Sequence, residues 1–181
     1  MKKTLLATAT SLALLTTLPA AAALKIGDKA PDFSAPASLG GNSFNFALAD
    51  ALKNGPVVVY FYPAAFTKGC TVEAHNFADA MDQYKALHAT VIGVSHDNIE
   101  TLQKFSVSEC RSKFAVAADP DIKIAKSYDA VLVSKLGYAD RTSYVIAPDG
   151  TIIYAYSDLS PEHHVENTLK AVKDWNAAHP H

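Results

Sequence analysis

The sequence predicts an α/β fold in which a central sheet of mixed strand direction carries helices on both faces. Apolar, β-branched and aromatic runs of strand length alternate with segments whose apolar residues recur at helical spacing. The turn signal Pro148-Asp149-Gly150 lies between two strand-like runs and predicts an antiparallel hairpin late in the chain. Alternating strands and helices favour parallel pairing, and the hairpin adds antiparallel strands.

The composition is that of one globular domain without a basic surplus. The chain has 181 residues, of which 49% are hydrophobic and 19% are charged, and its formal net charge is -2. A chain of this length can bury a sizeable core. Binding to nucleic acid is not expected, because proteins that bind it carry an excess of basic residues.

Residues 1–23 have the pattern of a secretory signal peptide. Lys2 and Lys3 form a positive start, residues 5–18 are apolar apart from Thr and Ser, and residues 20–23 are alanines suited to cleavage. An uncleaved membrane anchor is the alternative, but the apolar stretch is short for a membrane span. We therefore expect residues 24–181 to form the mature domain, exported to the periplasm and free of the membrane, where disulfides persist.

The first half of the mature chain predicts a hairpin, a short helix, a buried strand and a long helix. Residues 43–46 alternate polar and apolar after the turn Gly40-Gly41-Asn42, which predicts one strand of a leading hairpin. Residues 47–53 predict the short helix. Residues 57–62 predict the buried strand, and helical spacing of apolar residues then continues to about residue 87.

The second half continues the alternation of strands and helices and then closes with the hairpin and a last helix. In chain order, the predicted elements are a strand at 89–95, a helix capped by Asp97 or Asn98, a strand at 114–117, a helix beginning at 119–121, hairpin strands at 142–147 and 151–156, and a helix at 161–175.

Cys70 lies where the buried strand gives way to the long helix. Pro63 cannot donate to a sheet ladder, so the strand should end there. Cys70 precedes Phe77 by about two helical turns, which places it in the first turn and on the side that faces the core. The free N–H groups and the positive end of the helix dipole favour a thiolate there. These residues predict a nucleophilic cysteine.

Three motifs give the chain a resemblance to the peroxiredoxins, most closely to the bacterioferritin-comigratory or Q type. The motifs are Pro63-x-x-x-Thr67-x-x-Cys70, the opening Gly27-Asp28-Lys29-Ala30-Pro31-Asp32-Phe33, and Arg141-Thr142-Ser143-Tyr144-Val145-Ile146 followed by Asp149-Gly150. They occur in the family's order over nearly the whole mature chain, which makes the resemblance specific.

The resemblance implies a thioredoxin-like fold with an N-terminal β-hairpin extension. It implies reduction of hydrogen peroxide and organic hydroperoxides by a thiol, without metal, haem or another cofactor. It also implies a thioredoxin-like protein or other dithiol as the reductant, and many relatives of this branch are monomers.

The resemblance assigns roles to the residues of the site. Cys70 is the nucleophile and becomes a sulfenic acid, and Pro63 shields the thiolate from water. Thr67 directs its hydroxyl at the sulfur and the peroxide, or it is a plain helix cap. Arg141 stabilises the thiolate and holds a peroxide oxygen, although spacing alone would make it a surface arginine. Glu73 either orients Arg141 or complements the helix N-terminus.

Cys110 is the second cysteine of the chain and the expected resolving residue. Some relatives carry the resolving cysteine five residues after the nucleophile, but that position is His75 here. Others carry it in the next helix, where Cys110 falls. An internal disulfide would require the first turn at Cys70 to unwind. Arg111 and Lys113 could favour the Cys110 thiolate. The alternative is a structural cysteine, with an external thiol completing a one-cysteine mechanism.

Two other functional classes are weaker. A thioredoxin-like disulfide exchanger would normally use Cys-x-x-Cys, whereas Cys70-Thr71-Val72-Glu73 has no second thiol. A non-enzymatic periplasmic domain with a structural Cys70–Cys110 disulfide is the other alternative. The histidines His163, His164, His179 and His181 suggest a metal site only faintly, because adjacent helical histidines point in different directions.

Overall fold

The computed structural model describes residues 24–132 and 137–180, which form a seven-stranded sheet with helices around it. The strands are β1 (Ser34–Leu39), β2 (Asn42–Ala47), β3 (Val57–Phe61), β4 (Thr90–Ser95), β5 (Ala115–Ala118), β6 (Thr142–Ile146) and β7 (Ile152–Ser157). They lie across the sheet in the order β2-β1-β5-β4-β3-β6-β7. The neighbours β3, β4 and β5 are parallel, and the other pairs are antiparallel. The predicted mixed sheet is confirmed.

Helices cover both faces of this sheet, as the sequence predicted. They are α1 (Leu48–Leu52), α2 (Lys68–Ala86), α3 (Ile99–Ser108), α4 (Lys123–Ser127) and α5 (His164–Ala178). The helices α2, α3 and α5 enclose the core on one face, and α1 and α4 enclose the core on the other.

The central strand β3 contributes to both cores. Val58 and Tyr60 pack in the core beneath α2, whereas Val57, Val59 and Phe61 pack in the opposite core. All five side chains are buried. A strand buried on both faces has a continuous apolar sequence, which is why residues 57–62 stand out. Its carboxyl end is fixed from both sides and is a rigid base for the loop that follows.

The expected N-terminal hairpin is present as β1 and β2. Gly40 and Gly41 form the connecting turn, with φ angles of +55° and +83°. A tight hairpin turn of this kind requires positive φ at both central positions, which glycine adopts without steric cost. The segment predicted as a signal peptide, residues 1–23, lies outside the described residues. Within residues 24–132 and 137–180, no helix is long and apolar enough to cross a bilayer.

Two helices begin later than predicted. The helix expected at residues 119–121 begins at Lys123, because the Asp119 carboxylate accepts a hydrogen bond from the backbone N–H of Ala125 and Ile122 has a left-handed φ of 47°. The last helix begins at His164 instead of residue 161. In the loop before it, the carbonyl groups of Asp158 and Leu159 accept hydrogen bonds from the side chains of His164 and Arg141.

Candidate active site

Cys70 lies in the first turn of α2, as its spacing from Phe77 predicted. The helix begins after the N-cap residue Thr67, and the backbone N–H of Thr71 makes the first helical hydrogen bond, 2.9 Å to the Thr67 carbonyl. The N–H groups before it have no partner within the helix. The Cys70 side chain faces the core and is 2% exposed. The sulfur therefore lies at the positive end of the helix dipole and is almost fully shielded from solvent.

Arg141 brings its guanidinium directly to this sulfur. Its Nη2 atom lies 3.5 Å from Cys70 Sγ, its Nη1 donates to the Glu73 carboxylate, and its Nε donates to the Leu159 carbonyl at 2.8 Å. Arg141 is 4% exposed, so these bonds act away from bulk water. Arg141 is therefore not the surface arginine that spacing alone would suggest. Its guanidinium is positioned to stabilise negative charge on the Cys70 sulfur or on a bound peroxide oxygen.

The sheet register explains why Arg141 reaches Cys70. The strands β3 and β6 pair antiparallel, with Phe61 opposite Thr142. The residue before β6 thus lies beside the end of β3, where the loop to Cys70 begins. Gly69 leaves room for the guanidinium, because a Cβ at that position would lie 3.0 Å from Arg141 Nη2.

Glu73 orients Arg141 from inside the protein. Of the two roles considered for it, the structure favours this one, because the carboxylate is fully buried and paired with the guanidinium. Burial raises the pKa of Glu73 to about 8, although the Arg141 charge opposes the rise. Its Oε1 atom has no hydrogen-bond partner among the described residues, and it lies 3.7 Å from His164 Nδ1.

His164 belongs to the same buried network, which the sequence reasoning did not anticipate. The side chain is 0% exposed, and its Nδ1 lies 2.8 Å from the Ser143 hydroxyl. The signal that could have identified it is helical spacing, because His164 shares a buried face with Thr168, Leu169 and Val172. His163, by contrast, is exposed.

Pro63 and Thr67 frame the loop above Cys70. Pro63 follows β3 after one intervening residue, Tyr62, and its carbonyl accepts a hydrogen bond of 2.8 Å from His96 Nδ1. Thr67 is the N-cap residue by its backbone, but its hydroxyl makes no capping bond and donates instead to the Ala64 carbonyl at 3.0 Å. The Thr67 hydroxyl is therefore held in the loop by its bond to Ala64, and its oxygen can still accept a hydrogen bond.

The loop is braced by residues after β4 that the sequence reasoning assigned only to a helix cap. Asn98 is the cap of α3, and its side chain accepts from the Thr101 N–H. Asp97 instead accepts hydrogen bonds from the Ala65 N–H at 2.7 Å and from the Ser95 hydroxyl at 2.8 Å. This carboxylate fixes the loop between Pro63 and Cys70 to the neighbouring strand.

Cys110 is free, fully buried and just beyond the end of α3. Burial raises its pKa far above the ordinary thiol value, and the nearby Glu109 charge adds to the rise. The expectation that Arg111 and Lys113 favour the Cys110 thiolate is therefore wrong for this conformation. Both cations are engaged with aspartates of α2.

Three side-chain pairs, two of them ion pairs, hold the segment around Cys110 against α2, and we call them the clasp. The pairs are His75–Glu109 at 2.8 Å, Asp79–Arg111 at 2.5 Å and Asp82–Lys113 at 3.8 Å. The α2 members are spaced along one helix face. Within the segment, Arg111 and Ser112 adopt positive φ angles of 49° and 54°, which is unfavourable for residues with a Cβ.

The two cysteines flank one aromatic cluster. Tyr60 and Tyr62 stack with ring centroids 5.4 Å apart, and both belong to the core that contains Cys70 and Cys110. Burial raises the pKa of each phenol well above its usual value, and charge on either cysteine would raise it further. In residues 24–132 and 137–180, no group of three or more His, Cys, Asp or Glu side chains could hold a metal ion.

Comparison of the sequence with models of known protein families identifies the family of this chain. The model of the AhpC/TSA family matches residues 26–155. The chain belongs to the AhpC/TSA family. Peroxiredoxin Bcp of Bacillus subtilis (strain 168) is 31% identical over 159 residues, covering 84% of this chain and 98% of the relative. The chloroplastic peroxiredoxin Q of Triticum aestivum is 34% identical over 123 residues, covering 67% of this chain and 56% of the relative.

A solved structure gives the same result for the fold. Peroxidoxin BcpB from Mycobacterium tuberculosis superposes with a TM-score of 0.75 at 30% identity, covering 83% of this chain and 97% of that chain. The predicted thioredoxin-like peroxiredoxin fold is thus confirmed, and so is the assignment to the Bcp and Q branch.

Proposed function

We propose that this peroxiredoxin reduces hydrogen peroxide and organic hydroperoxides at Cys70, and that Cys110 resolves the oxidised Cys70 by an internal disulfide. Membership of the peroxiredoxins makes the chain a thiol-dependent peroxidase. The observation that carries the proposal for this site is the Arg141 guanidinium, 3.5 Å from the Cys70 sulfur at a helix N-terminus.

The first step is an attack of the Cys70 thiolate on one peroxide oxygen. The S–O bond forms as the O–O bond breaks, and the other oxygen leaves with the electron pair as hydroxide or alkoxide and takes a proton from water. Cys70 is oxidised to the sulfenic acid, and the peroxide is reduced. Arg141 supplies donors where negative charge moves from sulfur to oxygen, so its preorganised position lowers the barrier.

The second step joins the two cysteines. The Cys110 sulfur attacks the Cys70 sulfenic sulfur, the S–S bond forms, and water leaves with the sulfenic oxygen and the thiol proton. A dithiol reductant of the thioredoxin-like type then reduces this disulfide by two thiol exchanges and is itself oxidised. The free state of both cysteines and their shared aromatic cluster support this step. Since Cys110 is buried, the clasp must open before it can react.

An intact-mass titration tests the mechanism. The reduced protein receives one equivalent of peroxide, its thiols are trapped, and its mass is measured. We expect wild-type protein to lose two trapping sites and form an internal disulfide. The Cys110→Ser variant should retain the sulfenic acid, and the Cys70→Ser variant should not react. If Cys110→Ser turns over with a dithiol at the wild-type rate, the one-cysteine mechanism replaces the internal one.

The export and the assembly state are further parts of the proposal. The basic start and apolar stretch of residues 1–23 support secretion to the periplasm, where an envelope thioredoxin-like protein would be the reductant. We also propose a monomer. Cell fractionation with the mass of the mature N-terminus tests the first point, and light scattering of the reduced protein tests the second. A full-length cytoplasmic product would overturn the export proposal.

A further inference from the structure

The loop that holds Arg141 in place is exposed and has little apolar anchoring of its own. Residues 158–159 join β7 to the turn before α5, and both are exposed. The Leu159 side chain is 59% exposed, yet its carbonyl accepts the Arg141 Nε hydrogen bond of 2.8 Å. The N–H of Asp158 bonds the Arg141 carbonyl at 3.2 Å. A buried side chain must therefore hold this loop, because the Leu159 carbonyl can orient Arg141 only if its own position is fixed.

His164 is the buried side chain that ties the loop to the core. Its Nε2 lies 2.9 Å from the Asp158 carbonyl oxygen. A carbonyl can only accept, so Nε2 carries the proton and donates. The ring also packs edge-on against Tyr156, with centroids 4.8 Å apart. His164 is thus hydrogen-bonded to the Asp158 carbonyl, the backbone leads from Asp158 to the adjacent Leu159 carbonyl, and hydrogen bonds continue from there to Arg141 and on to the Cys70 sulfur.

The other ring nitrogen finds a partner that suits this tautomer. In the neutral ring, Nδ1 is an acceptor and receives the Ser143 hydroxyl at 2.8 Å. Burial lowers the pKa of His164, and the Arg141 charge also lowers it, while the Asp158 carbonyl and the charges of Asp158 and Asp140 oppose the change. The positive end of the α5 dipole acts in the same direction as Arg141. The neutral Nε2–H tautomer is therefore the stable form.

We propose that His164 is a positioning residue for Arg141, acting through the Asp158 carbonyl and the Leu159 carbonyl. Its Nε2–H donor keeps the loop where Leu159 directs the guanidinium at Cys70. The Asp158 carbonyl requires the tautomer that provides this donor, and the Ser143 hydroxyl, two residues beyond Arg141 on β6, satisfies its Nδ1 acceptor. The inference deepens the proposed peroxidase chemistry and rests on it.

Matched substitutions separate this role from simple packing. Glutamine places an amide N–H at about the position of Nε2, whereas asparagine places one only at the position of Nδ1. We expect His164→Gln to keep the rate of peroxide reduction within about threefold of wild type. We expect His164→Asn to lower that rate by about ten- to a hundredfold, because the donor to Asp158 is lost. Each variant is assayed by stopped-flow consumption of peroxide, with its thermal midpoint measured in parallel.

A second reaction and a second variant keep the test decisive. Alkylation of Cys70 by iodoacetamide needs a thiolate but no stabilised leaving oxygen, so it should fall less than peroxide reduction in His164→Asn. Ser143→Ala keeps the ring and removes only the hydrogen-bond partner of Nδ1, which helps to hold the ring in place. It should slow peroxide reduction about fivefold, and it tests the inference independently of whether the His164 variants fold.

Two results would overturn the inference. One is a folded His164→Asn protein with the wild-type peroxide rate. The other is an equal loss in His164→Gln and His164→Asn at unchanged thermal midpoints, since the Nε2 donor would then be irrelevant. Failure of the peroxidase proposal itself is recognised separately, by wild-type protein that consumes no peroxide or by an active Cys70→Ser variant.

Discussion

Removing two pairs of the clasp should accelerate disulfide formation without changing the reaction of Cys70 with peroxide. The proposed perturbation is the double variant Asp79→Asn with Asp82→Asn. It leaves Arg111 and Lys113 without their carboxylate partners on α2. Asparagine and aspartate have similar helix propensities, so α2 itself should be unchanged. The substitutions do not touch the neighbours of Cys70.

The magnitude follows from the exposure of these pairs. The side chains are 67% and 46% exposed in Asp79–Arg111, and 83% and 45% exposed in Asp82–Lys113. Exposed pairs are screened by solvent and contribute about 0.5 kcal/mol each. The two together stabilise the closed segment by about 1 kcal/mol, so their loss should raise the population of open segment, and the rate of disulfide formation, about fivefold.

Rapid mixing with one equivalent of peroxide, acid quenching and intact mass measure the two steps in one experiment. The rate at which sulfenic acid appears should equal that of wild type, and the rate at which it becomes disulfide should rise. Salt should accelerate the second step in wild type and have less effect in the double variant, because salt screens exposed charges.

A matched control removes an ion pair elsewhere. Asp50→Asn deletes the pair with Lys53, whose side chains are 71% and 73% exposed in and after α1. Both rates should stay at the wild-type values in this control. Disulfide formation at an unchanged rate in the double variant would refute the reasoning, since opening of the clasp would then not limit the step.

Three further outcomes are expected. Gly69→Ala should lower the peroxide rate about tenfold or more without lowering the thermal midpoint, because alanine favours the helix but its Cβ would lie 3.0 Å from Arg141 Nη2. Gly93→Ala should cost about 1–3 kcal/mol in urea unfolding, because its Cβ would lie 2.7 Å from the Tyr60 ring. The raised pKa of Glu73, about 8 against 4.5, means that the folded state retains a proton that the unfolded state releases. This contribution to the free energy of unfolding is fully present below pH 4.5 and is lost as the pH rises through about 8. Urea unfolding at a series of pH values should show that Glu73→Gln removes this decline.

The fold was predictable because its signals are local. The run at residues 57–62 is apolar at every position, since β3 is covered on both faces. The helix starts at residues 119–121 and 161 were predicted too early, because they depend on bonds to distant groups. The Asp119 carboxylate engages Ala125, and the loop before α5 is committed to Arg141 and His164.

The site was predictable only in part, because its residues meet through the sheet. Helical spacing placed Cys70 at the start of α2, but spacing alone would have left Arg141 on the surface. The resemblance to the peroxiredoxins brought Arg141 into the site, and the β3–β6 register is the physical reason for its position. His164 was missed because its partner carbonyl is a backbone group, which no sequence motif records.

Different interactions hold the two cysteines in place, and their strengths indicate which cysteine moves when the disulfide forms. Cys70 accepts from a buried guanidinium, and moving the sulfur away would leave a buried donor of Arg141 without its partner, at a cost of about 1 to 3 kcal/mol. The Cys110 segment is held by the clasp, whose exposed pairs contribute about 0.5 kcal/mol each. Arg111 and Ser112 also have unfavourable positive φ angles, which opening would relieve. By these contributions the segment around Cys110 is held less strongly than Cys70, and we expect it to be the part that moves when the disulfide forms.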